Sequence, residues 1–148
     1  MLEINGNHTA ELSDENLCGL VGMLCEPEMR RRRLHVSAVT WGSDQNAKDA
    51  GLDVRVASGL DGCRRFHSKP STGFQVKKSD MPRAAIIDEI KPEGMIRPSI
   101  TALAQESGAY IIVSADGSAT DSALKSRRDV ISEAMLGVPH GDECADPA

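Results

Sequence analysis

Two stretches in which apolar and polar residues alternate strictly constrain the fold of this chain more than any other feature. The first reads Gly-Leu-Asp-Val-Arg-Val over 51–56, and the second reads Gly-Phe-Gln-Val-Lys-Lys over 73–78. A period of two residues is typical of β-strands that bury one face on a core. The pattern predicts which apolar side chains share the buried faces: Leu52, Val54 and Val56 in the first strand, Phe74 and Val76 in the second.

The polar positions between those apolar residues form the first candidate site. If the two strands pair, the alternation brings Asp53, Gln75 and Lys77 together on one outward polar face of the sheet. Carboxylate and amide oxygens are ligands that Mg²⁺ accepts, and an ammonium group attracts phosphate. The pattern therefore predicts a rigid face that can hold a divalent cation and a phosphate.

The composition predicts one globular domain with an aliphatic core. The chain has 148 residues, of which 40% are hydrophobic but only 3% aromatic. No apolar run approaches the ~20 residues of a membrane span, and the N-terminus lacks the pattern of a signal peptide, so a cytoplasmic protein is expected. The cysteines show no Cys-x-x-Cys spacing, which argues against a zinc site and a disulfide framework.

The charge distribution favours an enzyme that binds DNA at one face over a protein that coats nucleic acid non-specifically. A net charge of −5 argues against non-specific coating of nucleic acid. Basic residues nevertheless cluster at 30–33, 64–65, 77–78 and 127–128. This arrangement suits an acidic enzyme that meets DNA at one face, although any single basic run also suits an ordinary solvated surface.

The remaining periodicities predict helices around these strands. A helix capped by Ser13 carries apolar residues at helical spacing. Pro27 is expected to end or kink it near Cys25 or Glu26, and a continuation through Glu28 and the arginine run stays open. The later predicted elements are a strand at 34–41, short helices opened by Pro82 and Pro98, a central buried strand at 109–114, and a helix capped by Thr120. Three meandering strands followed by a helical crossover to a fourth predict an α/β fold, with a mixed sheet and helices on both faces.

The predicted domain occupies 12–136. Residues 1–11 are polar and are expected to form a flexible N-terminus. Residues 137–148 combine prolines and glycine with acidic residues, a composition typical of a disordered tail or linker.

Asp53, the Gln75-Val76-Lys77 tripeptide on the next strand and the αβββαβ element order together resemble the PD-(D/E)xK nuclease superfamily. Within it, the chain is similar to the Mrr-type restriction endonucleases and the archaeal Holliday-junction resolvases. Longer segments resemble the N-terminal nuclease domains of bacterial antiphage proteins in which an NTPase sensor follows. These segments are 39–42, 51–56, 72–78 and 108–114.

The resemblance implies a restriction-endonuclease-like core and a metal-dependent endonuclease that cuts double-stranded DNA. Asp53 and Gln75 would hold Mg²⁺ or Mn²⁺, with the Val76 carbonyl as a further candidate ligand. Lys77 would orient the attacking water or stabilise the negative charge of the transition state. Gln75 stands where the family more often has an acid, which implies weaker metal binding.

The resemblance also implies partners and further site residues. Lys78 and Arg55 would contact DNA, two or more copies would assemble to cut both strands, and an NTPase sensor would be fused or bound for antiphage defence. Family members often add a glutamate from the first helix. Three residues compete for that role: Glu15, Glu26 and Glu28.

Simpler interpretations stay open beside the nuclease hypothesis. Asp53 also suits an ordinary outward strand position, and Lys77 and Lys78 suit edge charges that deter aggregation. Trp41 is interpreted as a packing residue, and the histidines His35 and His67 as surface or loop residues. The alternative functions are a DNA-binding module with a decayed site and an oligomerisation module.

Overall fold

Five α-helices and four β-strands make up the part of the chain that the computed structural model describes, residues 6–41, 51–57 and 71–138. The helices are α1 Gly6–Ala10, α2 Asp14–Arg31, α3 Arg83–Ile90, α4 Pro98–Gln105 and α5 Asp121–Ala134. The strands are β1 Val39–Trp41, β2 Val54–Ala57, β3 Ser71–Lys77 and β4 Ala109–Ser114. The chain is therefore a mixed α/β protein.

The four strands form one mixed sheet in the order β1-β2-β3-β4. The first three run antiparallel to their neighbours, and β4 pairs with β3 in parallel. The parallel pairing follows from the crossover through α3 and α4, which returns the chain to the starting end of β3. The predicted mixed sheet and its element order are confirmed.

Helices cover both faces of this sheet. On one face, α2 packs on the sheet through a cluster whose buried members are Leu17, Cys18, Val21, Val54 and Val76. On the other face, α3, α4 and α5 share a cluster whose buried members are Met81, Ile86, Ile90, Ile100, Val130 and Ala134. The sheet adds Tyr110 and Ile112 to this second cluster.

Helix α2 lies close to β1 because two glycines leave room for Trp41. A Cβ at Gly22 would overlap the indole ring, and one at Gly19 would lie 3.3 Å from it. Trp41 keeps 38% of its surface exposed while filling this gap. The interpretation of Trp41 as a packing residue is confirmed.

Of the two outcomes considered at Pro27, an end of the helix and its continuation through Glu28 and the arginine run, the structure shows the second. Helix α2 continues to Arg31, with Met29 buried beyond the proline. Glu28 receives hydrogen bonds from Arg31 and Arg32 in this last turn. Packing of Met29 and these contacts outweigh the backbone bond that a proline removes.

Two strand predictions need correction. The strand predicted at 34–41 is confined to β1, because Val36–Ala38 forms a 3₁₀ turn capped by the His35 ring, which accepts a bond from the Ser37 amide. The strand at 109–114 was expected to be central, yet β4 is the outermost strand of the described sheet. Ile111 on β4 is accordingly 40% exposed.

The ends of several elements match their predicted caps. Ser13 accepts a bond from the Asn16 amide, Thr120 accepts one from the Ala123 amide, and Pro82 precedes α3. Within the described residues, no helix combines the length and apolar character required to cross a membrane.

The terminal segments differ in part from expectation. Residues 6–10, within the segment expected to be flexible, form α1, and Val138, within the predicted tail, is buried. The rest of that tail, 139–148, and His67 lie outside the described residues.

Candidate functional site

The pairing of β2 with β3 brings three predicted site residues to one face of the sheet. Val54 and Phe74 are register partners whose side chains pack against the α2 cluster. By strand alternation, Gln75 and Lys77 belong to the opposite face. Asp53 lies near Lys77, whose charge acts on the pKa of its carboxyl group. Asp53 immediately precedes β2, and its backbone amide donates to the Phe74 carbonyl at 2.8 Å.

This face is covered by helices, which corrects the prediction that it points outward. Gln75 is only 4% exposed, whereas Lys77 at the end of β3 keeps 39% of its side chain exposed. The burial of this face could not be predicted from the strand pattern. It arises because α3 and α4, which follow β3 in the chain, fold back over the strands.

Leu52 also departs from its predicted face. A Cβ built on Gly73 would lie 2.7 Å from a Leu52 methyl and 2.6 Å from a Leu103 methyl of α4. Leu52 therefore lies on the Gly73 side of the sheet, opposite Val54. The alternation fails there because β2 begins only at Val54, and Gly73 leaves the space that Leu52 fills.

The Asp53 carboxylate is half-buried and held by the backbone of the neighbouring strand. Its Oδ2 accepts a hydrogen bond from the Val76 amide at 2.6 Å. Burial raises the pKa of Asp53, while the Val76 bond and the charge of Lys77 act in the opposite direction. The nearby carboxylates of Glu89 and Asp14 add to the upward shift in this pKa.

Glu89, in the last turn of α3, joins the site although the sequence interpretation missed it. Its Oε2 lies 3.5 Å from the Lys77 Nζ, and its Oε1 lies 3.1 Å from an Arg97 terminal nitrogen. Arg97 Nε also donates to the backbone carbonyl of Glu89 at 2.6 Å. The available signal was helical spacing, since Glu89 follows the buried Ile86 by three positions and so flanks the core.

The acid that α2 brings to the site is Asp14. Its Oδ1 accepts a bond from the Lys78 amide at 2.6 Å, which joins the start of α2 to the end of β3. The structure does not favour the three glutamates considered from the sequence. Glu15 is exposed like Asp14 but is not the residue that bonds to the end of β3, and Glu26 pairs with Arg30.

Glu28, the third of those glutamates, is engaged at the far end of α2. Hydrogen bonds from Arg31 and Arg32 lower its pKa to about 2. Asp14, in the first turn, went unnoticed as a site residue because an acid there is also explained by the helix dipole.

Gln75 presents a buried oxygen that has no hydrogen-bond partner in the described structure. Its Oε1 shares this condition with Ser99 Oγ and Tyr110 Oη. Burial raises the pKa of Tyr110, and the negative charge of Glu89 raises it further. Buried polar atoms are normally paired. The unpaired amide oxygen of Gln75, on the same face as Asp53, could therefore act as a ligand to a cation.

The donor set suits a hard cation more than zinc. Asp53 and Gln75 offer oxygen atoms, which Mg²⁺ and Mn²⁺ prefer. Among the described residues, no group of three or more histidine, cysteine, aspartate or glutamate side chains is arranged to hold a metal ion. A cation here would thus depend on the amide oxygen of Gln75 as well as on carboxylates.

A cavity of about 270 Å³ opens at the end of β3, between α2 and α3. Lys77 and Lys78 line it from β3 and its end, Asp14 lines it from α2, and Asp88 and Glu89 line it from α3. The walls thus carry charges of both signs.

The two predicted DNA-contact residues lie at different ends of the sheet face. Arg55 is the register partner of Gly73, near the start of β3, and its guanidinium lies 3.5 Å from the carboxylate of Glu106, which follows α4. Lys78 follows the other end of β3 and borders the cavity. The structure therefore places Lys78, but not Arg55, at the cavity that Lys77 lines.

No protein-family model, curated protein or solved structure matches this chain.

Proposed function

We propose that this chain is a Mg²⁺- or Mn²⁺-dependent endonuclease that hydrolyses phosphodiester bonds in double-stranded DNA, on a restriction-endonuclease-like core of the PD-(D/E)xK type. The observation that carries the proposal is the β2–β3 pairing. It gathers the carboxylate of Asp53, the amide of Gln75 and the ammonium of Lys77 on one face. Of these three residues, Lys77 also lines an open cavity.

Asp53 and Gln75 are the residues that would hold the cation. Oδ2 of Asp53 accepts the hydrogen bond from the Val76 amide. The other carboxylate oxygen would bind the cation. Gln75 contributes the unpaired Oε1. A bound divalent cation neutralises the scissile phosphate and makes water a better nucleophile. Asp14 is close enough to influence the charge of Asp53 and is the candidate for an additional ligand.

The protein side chains perform the remaining tasks in this proposal. The Val76 amide fixes the orientation of the Asp53 carboxylate. Lys77, half exposed at the cavity, would place its ammonium against the negative charge that develops on the phosphate. Lys78 at the cavity edge would contact a neighbouring backbone phosphate.

The biological setting is proposed from the sequence resemblance alone. It comprises a cytoplasmic effector domain in bacterial antiphage defence, self-association on DNA, and an NTPase sensor that is fused or bound. The mixed α/β architecture is compatible with this setting.

Plasmid cleavage tests the proposal. The native chain is incubated with supercoiled plasmid and Mg²⁺ or Mn²⁺, with EDTA as the metal-free control. Lys77→Ala and Asp53→Asn are each expected to lower the rate by at least about 100-fold, as is typical when a transition-state contact is lost. Lys125→Ala is the matched control, because Lys125 pairs with Asp129 on the exposed side of α5. Cleavage that persists in EDTA, or that ignores Lys77→Ala, would contradict the proposal.

A DNA-binding module with a decayed site is the second candidate. The observation that favours it is that Lys77 is already engaged by an acid, Glu89, in the protein alone. A chain that binds duplex DNA with a clear salt dependence but leaves it intact with either metal would select this candidate. Absence of DNA binding would favour an oligomerisation module instead.

A further inference from the structure

We propose that Glu89 is a positioning residue that fixes the Lys77 ammonium at the site, and that Arg97 in turn fixes Glu89. The catalytic consequence of this arrangement rests on the proposed nuclease function. The arrangement itself rests on the contacts among the three side chains.

Glu89 is anchored more firmly than the lysine it contacts. Arg97, the residue that precedes α4, donates through Nε to the Glu89 backbone carbonyl at 2.6 Å and through a terminal nitrogen to its Oε1 at 3.1 Å. The Glu89 side chain is 16% exposed and that of Arg97 is 24% exposed. A planar guanidinium bound at two points restricts its partner in a way that a lysine does not.

The second carboxylate oxygen of Glu89 faces Lys77. Oε2 lies 3.5 Å from Nζ, and Lys77 is more exposed than either partner, at 39%. A long lysine side chain samples many rotamers unless a contact selects among them. The fixed carboxylate therefore selects the rotamers that keep the ammonium beside Asp53 and the cavity, where the charge of Lys77 counteracts the raised pKa of that aspartate.

A contribution to folding alone does not account for this arrangement. The Lys77 end of the Glu89–Lys77 pair is 39% exposed, and an ion pair that water reaches in this way adds little to stability. The Glu89–Lys77 pair instead links α3 to the one cationic side chain that alternation places on the Asp53 face at the end of β3. We expect the Glu89–Lys77 pair to affect the position of the Lys77 ammonium.

Chemical labelling of Lys77 tests the contact without DNA or metal. The native chain and Glu89→Gln are treated briefly with acetic anhydride, and the modification of each lysine is followed by peptide mass spectrometry. The glutamine keeps the shape and an oxygen for Arg97 but removes the negative charge. Lys77 is expected to label about three-fold faster in Glu89→Gln, in keeping with loss of a half-exposed pair.

Asp129→Asn is the matched control for the labelling. It removes the carboxylate that lies 2.7 Å from Lys125 Nζ, so it should accelerate labelling of Lys125 and leave Lys77 unchanged. An unchanged Lys77 rate in Glu89→Gln would overturn the proposed contact, whether or not the chain cleaves DNA.

A double-mutant cycle on plasmid cleavage tests the positioning role. Glu89→Gln is expected to lower kcat by about ten-fold with little change in KM, because it displaces a group that acts in the transition state. In the Lys77→Ala background the same change is expected to have no further effect, since its target is gone. Glu133→Gln, which removes the partner of Arg83 on α5, is the structural control.

The outcomes separate this inference from the proposed function. A native chain that does not cleave overturns the nuclease proposal, while the labelling result still decides the contact. If Glu89→Gln cleaves as fast as the native chain, or if its effect multiplies that of Lys77→Ala, then Glu89 does not act through Lys77.

Discussion

Asp53 stands in surroundings that disfavour its charged form. It is half-buried, carboxylates approach it from two helices, and the raised pKa records their combined effect. The Val76 amide and Lys77 only partly offset this cost. Charged residues in such environments commonly serve binding or catalysis, because a neutral residue at the same position would give a more stable fold.

Replacing Asp53 with asparagine is expected to raise the stability of the fold while it removes cleavage. Asparagine keeps an oxygen for the Val76 amide but never carries the charge. Because the folded-state pKa of Asp53 is raised above 3.8, its ionisation costs stability at neutral pH. Urea unfolding should therefore show a higher midpoint for Asp53→Asn at about pH 7, with the difference shrinking toward about pH 4 as the native aspartate becomes protonated. A lower midpoint at neutral pH would contradict this.

Replacing Gln75 with glutamate tests the buried oxygen as a cation ligand. The new carboxylate would stand at a position only 4% exposed, on the same sheet face as Asp53. In EDTA the variant is expected to lose roughly 1–3 kcal/mol of unfolding free energy, the cost of a poorly compensated buried polar group. Added Mn²⁺ should restore the loss, because a ligand that binds only the native state stabilises it.

The control for that experiment is Gln105→Glu, at an exposed position at the end of α4. It should leave the response to metal unchanged and cost at most about 1 kcal/mol, because a negative charge in the last helical turn opposes the helix dipole. Equal behaviour of the two variants, with no recovery of Gln75→Glu on adding Mn²⁺, would count against a cation at Gln75.

At the scale of helices and strands, some residues in the sequence predict element ends correctly and others do not. Ser13, Thr120 and Pro98 mark helix starts through local chemistry that each residue provides by itself, and the structure follows them. Pro27 is also a local signal, yet burial of Met29 in the following turn overrides it. Caps could be predicted because they depend on neighbours in the chain, whereas the continuation of α2 depends on distant packing.

The same contrast applies to the site. Alternation in β2 and β3 placed Asp53, Gln75 and Lys77 on one face from the sequence alone. Glu89 and Arg97 could not be predicted as their neighbours, because the path of the chain between β3 and β4 determines which helix residues return to that face. The burial of Gln75 has the same origin.

Replacing Gly22 with alanine tests the contact between α2 and β1. Alanine favours helix by about 1 kcal/mol over glycine, but its methyl group would overlap the Trp41 ring. Overpacking of this kind costs roughly 1–3 kcal/mol, so a net destabilisation is expected by thermal or urea unfolding. Gly19→Ala, whose methyl would stand 3.3 Å from the ring, is the graded control and should cost less. A gain in stability for Gly22→Ala would show that α2 can shift away from β1.

At the scale of the whole molecule, the proposed cleavage of both strands of a duplex would use two sites. Each chain brings Asp53, Gln75 and Lys77 together once. The protein is therefore expected to self-associate on DNA, and analytical ultracentrifugation with a short duplex should report at least two chains per complex. A strictly monomeric complex that nonetheless makes double-strand breaks would exclude this expectation.

The dispersal of the site over the fold has a consequence for a chain still being synthesised. Asp14 lies in α2, Asp53 just before β2 and Lys77 in β3, whereas Glu89 and Arg97 belong to the crossover that follows β3. A nascent chain that has left the ribosome only as far as β3 thus lacks the groups that hold its lysine, and β3 still lacks its parallel partner. Long-range pairing of this kind forms late. The complete charge arrangement therefore arises only once the crossover and β4 have been translated and docked, which leaves the unfinished polypeptide without an assembled centre.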